Sequence, residues 1–250
     1  MKNSEQALKG SHEVLRAVNR GHMDYGWLQA NYSFSFASYH NPKRMGFGPL
    51  LVLNQDHIAG GGGFPTHGHR NMEIITWVQS GELIHEDSMG HRGSLGPGEL
   101  QVMSAGRGVR HAEYNGSKEN SLHLLQMWIQ PSERETEARW EQRLSPSAER
   151  EGQFIQLVGE HEEARDGLLT IGQDARMHVA LLAADINASL DLPAGRKAYL
   201  HVARGSVIWN DIQLEAGDAI AFEATRETRP LSITGSDPRC LADVILWDLP

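Results

Sequence analysis

Short apolar runs separated by Gly, Pro, Asn and Asp dominate the chain. In the first half they fall at 50–53, 73–78, 82–85, 100–104, 110–114 and 122–129. In the second half they fall at 154–158, 177–182, 199–203, 206–209, 212–214, 219–222, 231–234 and 244–249. Runs of this length, bounded by turn formers, predict strands. Turn signals stand between them at 60–63, Ser80-Gly81, Gly90, 96–98 and 106–108. The rhythm predicts an all-β fold of the sandwich or barrel type. Helical periodicity is confined to residues 4–18 and 133–143. The charged stretch 133–152, flanked or interrupted by Pro131 and Pro146, reads as an inter-domain connection, part helix and part loop.

The two halves echo each other. Ser80-Gly81-Glu82 and Arg204-Gly205-Ser206 each place a glycine between two strands. Pro97-Gly98-Glu99 and Ala216-Gly217-Asp218 each place a small-Gly-acid turn before the next strand. Two similar β modules are therefore expected, at 1–143 and 144–250. The histidines are not shared between them. Of thirteen, only His161, His178 and His201 follow His123, and none of those three forms an H-x-H pair. The chemistry is expected in the first module.

Composition narrows the function classes. With 40% hydrophobic and 22% charged residues among 250, the chain can bury a sizeable core. A net charge of −9 disfavours direct contact with nucleic acid or an anionic membrane, and leaves room for a protein partner. No run of about eighteen apolar residues is present to span a membrane. The first ten residues lack the apolar core of a signal peptide. The single cysteine, Cys240, forms no internal disulfide and reads as an inert, buried residue. These features predict a soluble protein of the reducing cytoplasm.

The candidate chemistry lies in His67-Gly68-His69 and His111-Ala112-Glu113. Each is an i, i+2 pair, and alternate residues of a strand share a face. Two such strands side by side would bring three imidazoles and one carboxylate to a common point. A lone histidine is ordinarily a surface or core polar residue. Two paired motifs beside glycine turns point instead to metal ligands. Borderline-hard N and O donors suit one divalent transition metal, Fe(2+), Mn, Co, Ni, Cu or Zn. An octahedral ion held by four protein ligands keeps two positions for substrate or O2.

Other residues carry weaker signals. His85 and Asp87 share a strand face and could orient a ligand imidazole from behind; the plainer reading is a polar strand end bonded to a turn. Arg107 and Arg110 lead into His111, as steering charges for an anion or as solvated loop residues. Phe34, Phe36, Met45, Phe47, Trp77 and Met127 are apolar residues of the first module, some expected to line a pocket. His123 reads as an ordinary strand histidine.

Gly61-(five residues)-His67-x-His69-(three residues)-Glu73 and Gly108-(two residues)-His111-(three residues)-Asn115 resemble the two motifs of the cupin family. Two departures stand out: the proline expected near Gly106 is absent, and Gly81 comes one position late relative to Glu73. A closer resemblance covers most of 14–145 and continues more weakly through the second half. Phe64-Pro-Thr-His-Gly-His-Arg-Asn-Met-Glu73, His85-Glu-Asp-Ser-Met-Gly90 and Gln101-Val-Met-Ser-Ala-Gly-Arg-Gly-Val-Arg-His-Ala-Glu-Tyr-Asn115 are similar to the pirin family. So are Arg20-Gly-His and Ser33-Phe-Ser-Phe36.

That resemblance implies a bicupin: two β-barrel (jelly-roll) modules with few short helices. The N-terminal cupin, 1–143, holds the metal, and the cupin-like module at 144–250 lacks metal ligands. It implies His67, His69, His111 and Glu113 as ligands, with Fe(2+) foremost among the metals. Glu73 then supports the ligands from behind or belongs to the core. The implied activity is that of a quercetin 2,3-dioxygenase, opening a flavonol ring with O2 and releasing CO, with Glu113 as general base. The family is also linked to transcription control, so the alternative is a non-enzymatic, iron-dependent redox sensor acting through a protein partner.

Overall fold

A computed structural model of the chain describes residues 12–223 and 227–250. Its strands are β1 (His12–Leu15), β2 (Gly21–Asp24), β3 (Leu28–Tyr32), β4 (Leu50–Ile58), β5 (Gly63–His69), β6 (Glu73–Ser80), β7 (Leu83–Asp87), β8 (Arg92–Leu95), β9 (Glu99–Ser104), β10 (Val109–Asn115) and β11 (Leu122–Ile129). There follow β12 (Arg139–Leu144), β13 (Ile155–Glu160), β14 (Leu169–Ile171), β15 (Arg176–Leu182), β16 (Asn187–Leu192), β17 (Lys197–Arg204), β18 (Ser206–Trp209), β19 (Ile212–Glu215), β20 (Ala219–Glu223), β21 (Arg229–Gly235) and β22 (Ala242–Leu249). The protein is all-β, as the sequence pattern predicts. Among the described residues the one α-helix is a single turn, Ser147–Arg150.

The described residues form two compact units. One contains 19–149 and 156–176; the other contains 12–18, 150–155 and 177–250. The units are discontinuous in sequence, where the sequence pattern suggests a single boundary at 143/144. The reason is strand pairing: β1 lies antiparallel to β20, with His12 opposite Phe222 and Leu15 opposite Ala219.

In the first unit a seven-stranded sheet runs β12-β9-β6-β11-β4-β3-β2, and a four-stranded sheet runs β5-β10-β7-β8. In strand β4 Val52, Asn54, Asp56 and Ile58 are buried on one face; on the other, Leu51, Gln55 and His57 are half-buried and Leu53 is buried. Leu28, Ala30, Ile58, Val78, Leu83, Leu95 and Leu124 close one part of the interior. Ile74, Met103 and Val109 close another, with Trp128 and Trp140 packed against them. In the second unit one sheet contains β1-β20-β17-β22-β15 in that order and the other runs β16-β21-β18-β19. Leu200, Val207, Trp209, Ile220, Phe222 and Leu246 belong to its main apolar cluster, and His178, His201, Asp243 and Asp248 are buried in the same unit.

Two expectations of helix are corrected. Residues 4–11 of the segment 4–18 lie outside the described residues; 12–15 are the strand β1, and Ala17–Asn19 form one 3-10 turn. Residues 139–143 of the second segment belong to β12, an antiparallel partner of β9 with Trp140 opposite Met103. Alternation in Arg-Trp-Glu-Gln-Arg-Leu is masked by charge, so the stretch reads as a connection although it is part of the sheet.

Candidate metal centre

Strands β5 and β10 carry the two histidine motifs and pair with each other, placing His67 directly opposite His111. The register then shifts, and Glu113 lies opposite Phe64. Two residues of β10 therefore span three of β5. The surplus is taken up around Pro65, which has no N–H to give to a ladder. The carbonyl of Pro65 is 2.9 Å from His67 Nδ1. A carbonyl only accepts, so Nδ1 carries the proton and Nε2 presents its lone pair.

The ends of the two strands are tied together. Asn71, at φ 53°, donates its backbone N–H to Gly106 O at 2.9 Å. Gly106 itself has φ 47°, and a Cβ there would lie 2.3 Å from Thr136 O. Only glycine fits that turn.

The three imidazoles converge. Ring centroids are 4.7 Å apart for His67 and His69, 4.5 Å for His67 and His111, and 4.9 Å for His69 and His111. Their donor atoms lie within 4.8 Å of one another. His67 Nε2 and His111 Nε2 are 3.1 Å apart. Two nitrogens each about 2.1 Å from a shared ion, at roughly a right angle, stand about that far apart. Burial, together with His111 and His67 nearby, lowers His69 to a pKa of about 4. Burial, together with His67 and His85, lowers His111 to about 3. Both imidazoles are neutral at neutral pH, the form a metal ion binds. The number and spacing of the three, and the tautomer of His67, fit a divalent transition metal.

Glu113 is 2% exposed and belongs to a second donor group, with His85 and His111. Its Oε1 accepts from Gln101 Nε2 at 2.7 Å and Thr76 Oγ1 at 3.3 Å; its Oε2 accepts from Gln126 Nε2 at 2.9 Å. Each glutamine is oriented from its other end. Trp140 Nε1 donates to Gln101 Oε1 at 2.9 Å, and Trp128 Nε1 donates to Gln126 Oε1 at 3.3 Å. An indole N–H can only donate. The two tryptophans thus turn both amide NH2 groups toward the carboxylate.

Strand register explains how these residues meet. Asn54 of β4 is opposite Gln126 of β11, Gln126 is opposite Thr76 of β6, and Thr76 is opposite Gln101 of β9. One polar row crosses four strands of the large sheet. The sequence reading did not single these residues out. The signal was present as one inward amide or hydroxyl in each apolar run.

The other sequence candidates are placed as follows. His85 is fully buried, stacks on Trp140 at 5.1 Å, and has burial lowering its pKa. Its Nε2 is 3.5 Å from Asp87 Oδ2. Asp87 Oδ1 accepts from the backbone N–H of Met89 and His91, closing the turn after β7. His111 Nδ1 has no hydrogen-bond partner among the described residues. Glu73 accepts from Ser104 Oγ at 2.5 Å, and burial raises its pKa; it belongs to neither donor group. Arg107 donates to Glu135 O and Arg110 to Thr66 O.

A cavity of about 380 Å³ opens onto His67, His69 and Glu113. Of the apolar residues singled out in the sequence, Phe36 lines it, while Trp77 and Met127 are core and Met45 is exposed. Its other aromatic walls include Tyr25, Trp27, Tyr32, Phe64 and Trp128. Asn54 and Asp56 also face it. Burial, with Glu113 nearby, raises Asp56 to a pKa of about 7.

Residues 12–129 match the family model described as Pirin, and 161–249 match that of the quercetinase C-terminal cupin domain. A putative quercetin 2,3-dioxygenase of Pseudomonas aeruginosa is 42% identical over 86% of this chain and 90% of its own length. The quercetin 2,3-dioxygenase of Escherichia coli is 39% identical over 95% and 98%. The crystal structure of YhhW from Escherichia coli superposes with a TM-score of 0.88 at 37% identity, covering 96% of this chain and 98% of that one. YhhW in complex with nickel(II) gives a TM-score of 0.86 at 37% identity, with coverage of 96% and 99%.

Proposed function

The chain belongs to the pirin family, and from that premise we propose that its first unit is a metal-dependent dioxygenase of the quercetin 2,3-dioxygenase type. It opens a flavonol ring with O2 and releases CO. The observation that carries this reading is the meeting of three imidazoles beside a buried, hydrogen-bonded carboxylate at an aromatic-walled cavity. His67, His69 and His111 would hold the ion and Glu113 would complete the set. Iron(II) is the metal we assign, from the same N/O donor set that admits Mn, Co, Ni, Cu and Zn. Bound there, the ion supplies charge stabilisation for a deprotonated enol and a redox partner for O2.

The remaining roles follow from the chain's own groups. A flavonol carries an acidic 3-hydroxyl beside a 4-carbonyl. Glu113 accepts that proton as general base. Oε1 already takes two hydrogen bonds and Oε2 one, so the one acceptor position left is on Oε2, and it would serve the ion and the proton in turn, not together. Gln101 and Gln126 hold the carboxylate still while it does so. The rings of Trp27, Phe36 and Phe64 offer flat apolar surface to a planar ligand and displace water from it. The partners are a flavonol and O2, and the place is the reducing cytoplasm, in keeping with a single cysteine. No helix among the described residues is long and apolar enough to cross a membrane.

The test is to incubate iron-loaded protein with quercetin in air and follow the flavonol absorbance and the CO in the headspace. The expected result is loss of absorbance with CO release, both above a metal-free control. Equal rates with and without metal would contradict the enzyme reading and leave the regulator in its place.

A further inference from the structure

We infer that Asp56, with Asn54, forms a second binding subsite in the same cavity, which takes hydroxyl groups on an aromatic ring of the ligand away from the reacting enol. The residues stand at i, i+2 on β4 and so face the same side of the strand. Asn54 is 2% and Asp56 4% exposed, and both line the cavity. Asn54 Oδ1 and Asp56 Oδ1 are buried, and neither has a hydrogen-bond partner among the described residues. Burying one acceptor without a donor is costly, and native folds rarely do it. Two on one cavity wall fit a ligand that brings its own donors.

The neighbours leave room for such a ligand. On β3 the residue opposite Asp56 is Ala30, the smallest side chain in that row, and on β11 it is Leu124. Neither can satisfy a carboxylate. Arg20 is the nearby positive charge, and its guanidinium donates to Gln55 Oε1 and Asn31 O. Asn54 lies opposite Gln126, whose amide is already turned toward Glu113.

The chemistry selects the ligand class. Aromatic walls favour a flat ring: Trp27 meets Phe64 edge-on at 5.2 Å, and Phe36 meets Trp128 edge-on at 5.2 Å. Trp128 also meets His69 edge-on at 5.0 Å, so this wall reaches the imidazole cluster. The unpartnered oxygens of Asn54 and Asp56 on such a wall accept from phenolic hydroxyls. The subsite therefore selects polyhydroxylated aromatics over analogues that carry the enol alone. The choice of flavonols as ligands rests on the function proposed above; the selectivity does not require that they turn over.

The experiment is anaerobic binding to the iron-loaded full chain, read by quenching of tryptophan fluorescence. The probes are quercetin, which has further ring hydroxyls, and 3-hydroxyflavone, which has only the enol. Wild-type protein is expected to prefer quercetin by about tenfold or more, as sites built to bond a hydroxyl reject ligands lacking it. Asp56→Leu, close in shape and unable to accept, is expected to bring the preference below about threefold, each tenfold being about 1.4 kcal/mol. Its affinity for 3-hydroxyflavone should hardly change. Equal binding of the two probes by wild type needs no variant to interpret and overturns the subsite. So does a preference that survives in Asp56→Leu. If the preference behaves as expected but no flavonol is consumed in air, the subsite stands and the dioxygenase reading fails.

Discussion

Glu113 shows how one side chain can be fixed by residues that never touch a ligand. Trp140 and Trp128 set the direction of Gln101 and Gln126, and the two amides set the carboxylate. Neither glutamine can reverse without pointing its NH2 at a donor-only indole. Glu113→Gln would place an amide where both neighbours offer hydrogens. In metal-free protein it is expected to cost about 1–3 kcal/mol, the penalty of unmatched buried polar groups. Adding Trp140→Phe frees Gln101 to turn over and should recover part of that loss. Urea unfolding of the two single variants and the double variant measures this as a coupling energy. Simple additivity would show that the indole does not set the amide. The imidazole pairs were legible in the sequence because each sits within three residues. The row Asn54–Gln126–Thr76–Gln101 was not, because its members lie on four strands and only register brings them together.

At the scale of elements, the site depends on β5 lying close against β10. Gly63 begins β5 opposite Tyr114, and a Cβ there would fall 2.6 Å from Glu113 O. Gly68, between the two histidines, is different: the nearest atom to its Cβ would be 3.7 Å away. Gly63→Val should therefore pry the strands apart and weaken metal affinity by about 10-fold or more, as loss of supporting contacts does at metal sites. Gly68→Ala should bind metal as wild type does. A metal titration of both variants checks the contrast, and equal affinities would remove β5–β10 spacing from the account. Apolar runs located most of the long strands well, including β11 at its full extent. Strand β5, Phe-Pro-Thr-His-Gly-His after its first glycine, lacks the aliphatic alternation of a core strand because its paired positions are imidazoles, His67 and His69. Strand β12 was missed because Trp140 is its lone large inward apolar residue among charges.

Across the whole molecule, two cupin units share an architecture. Among the described residues, both groups of three metal-capable side chains lie in the first unit. The second fills its interior with Leu200, Trp209, Ile220, Phe222 and Leu246. The two groups lie where the sequence concentrates its histidines, at or before His123. The path of the chain between the units was not legible in the sequence, since pairing of β1 with β20 joins residues more than two hundred positions apart.

The claim on which function depends is that His67, His69 and His111 hold one ion. Elemental analysis after iron(II) loading and gel filtration, on wild type and on His67→Ala and His111→Ala, tests it most directly. About one equivalent per chain is predicted for wild type, with the single ion lost from both variants. Wild-type protein that emerges without metal, or variants that keep a full equivalent, would contradict it.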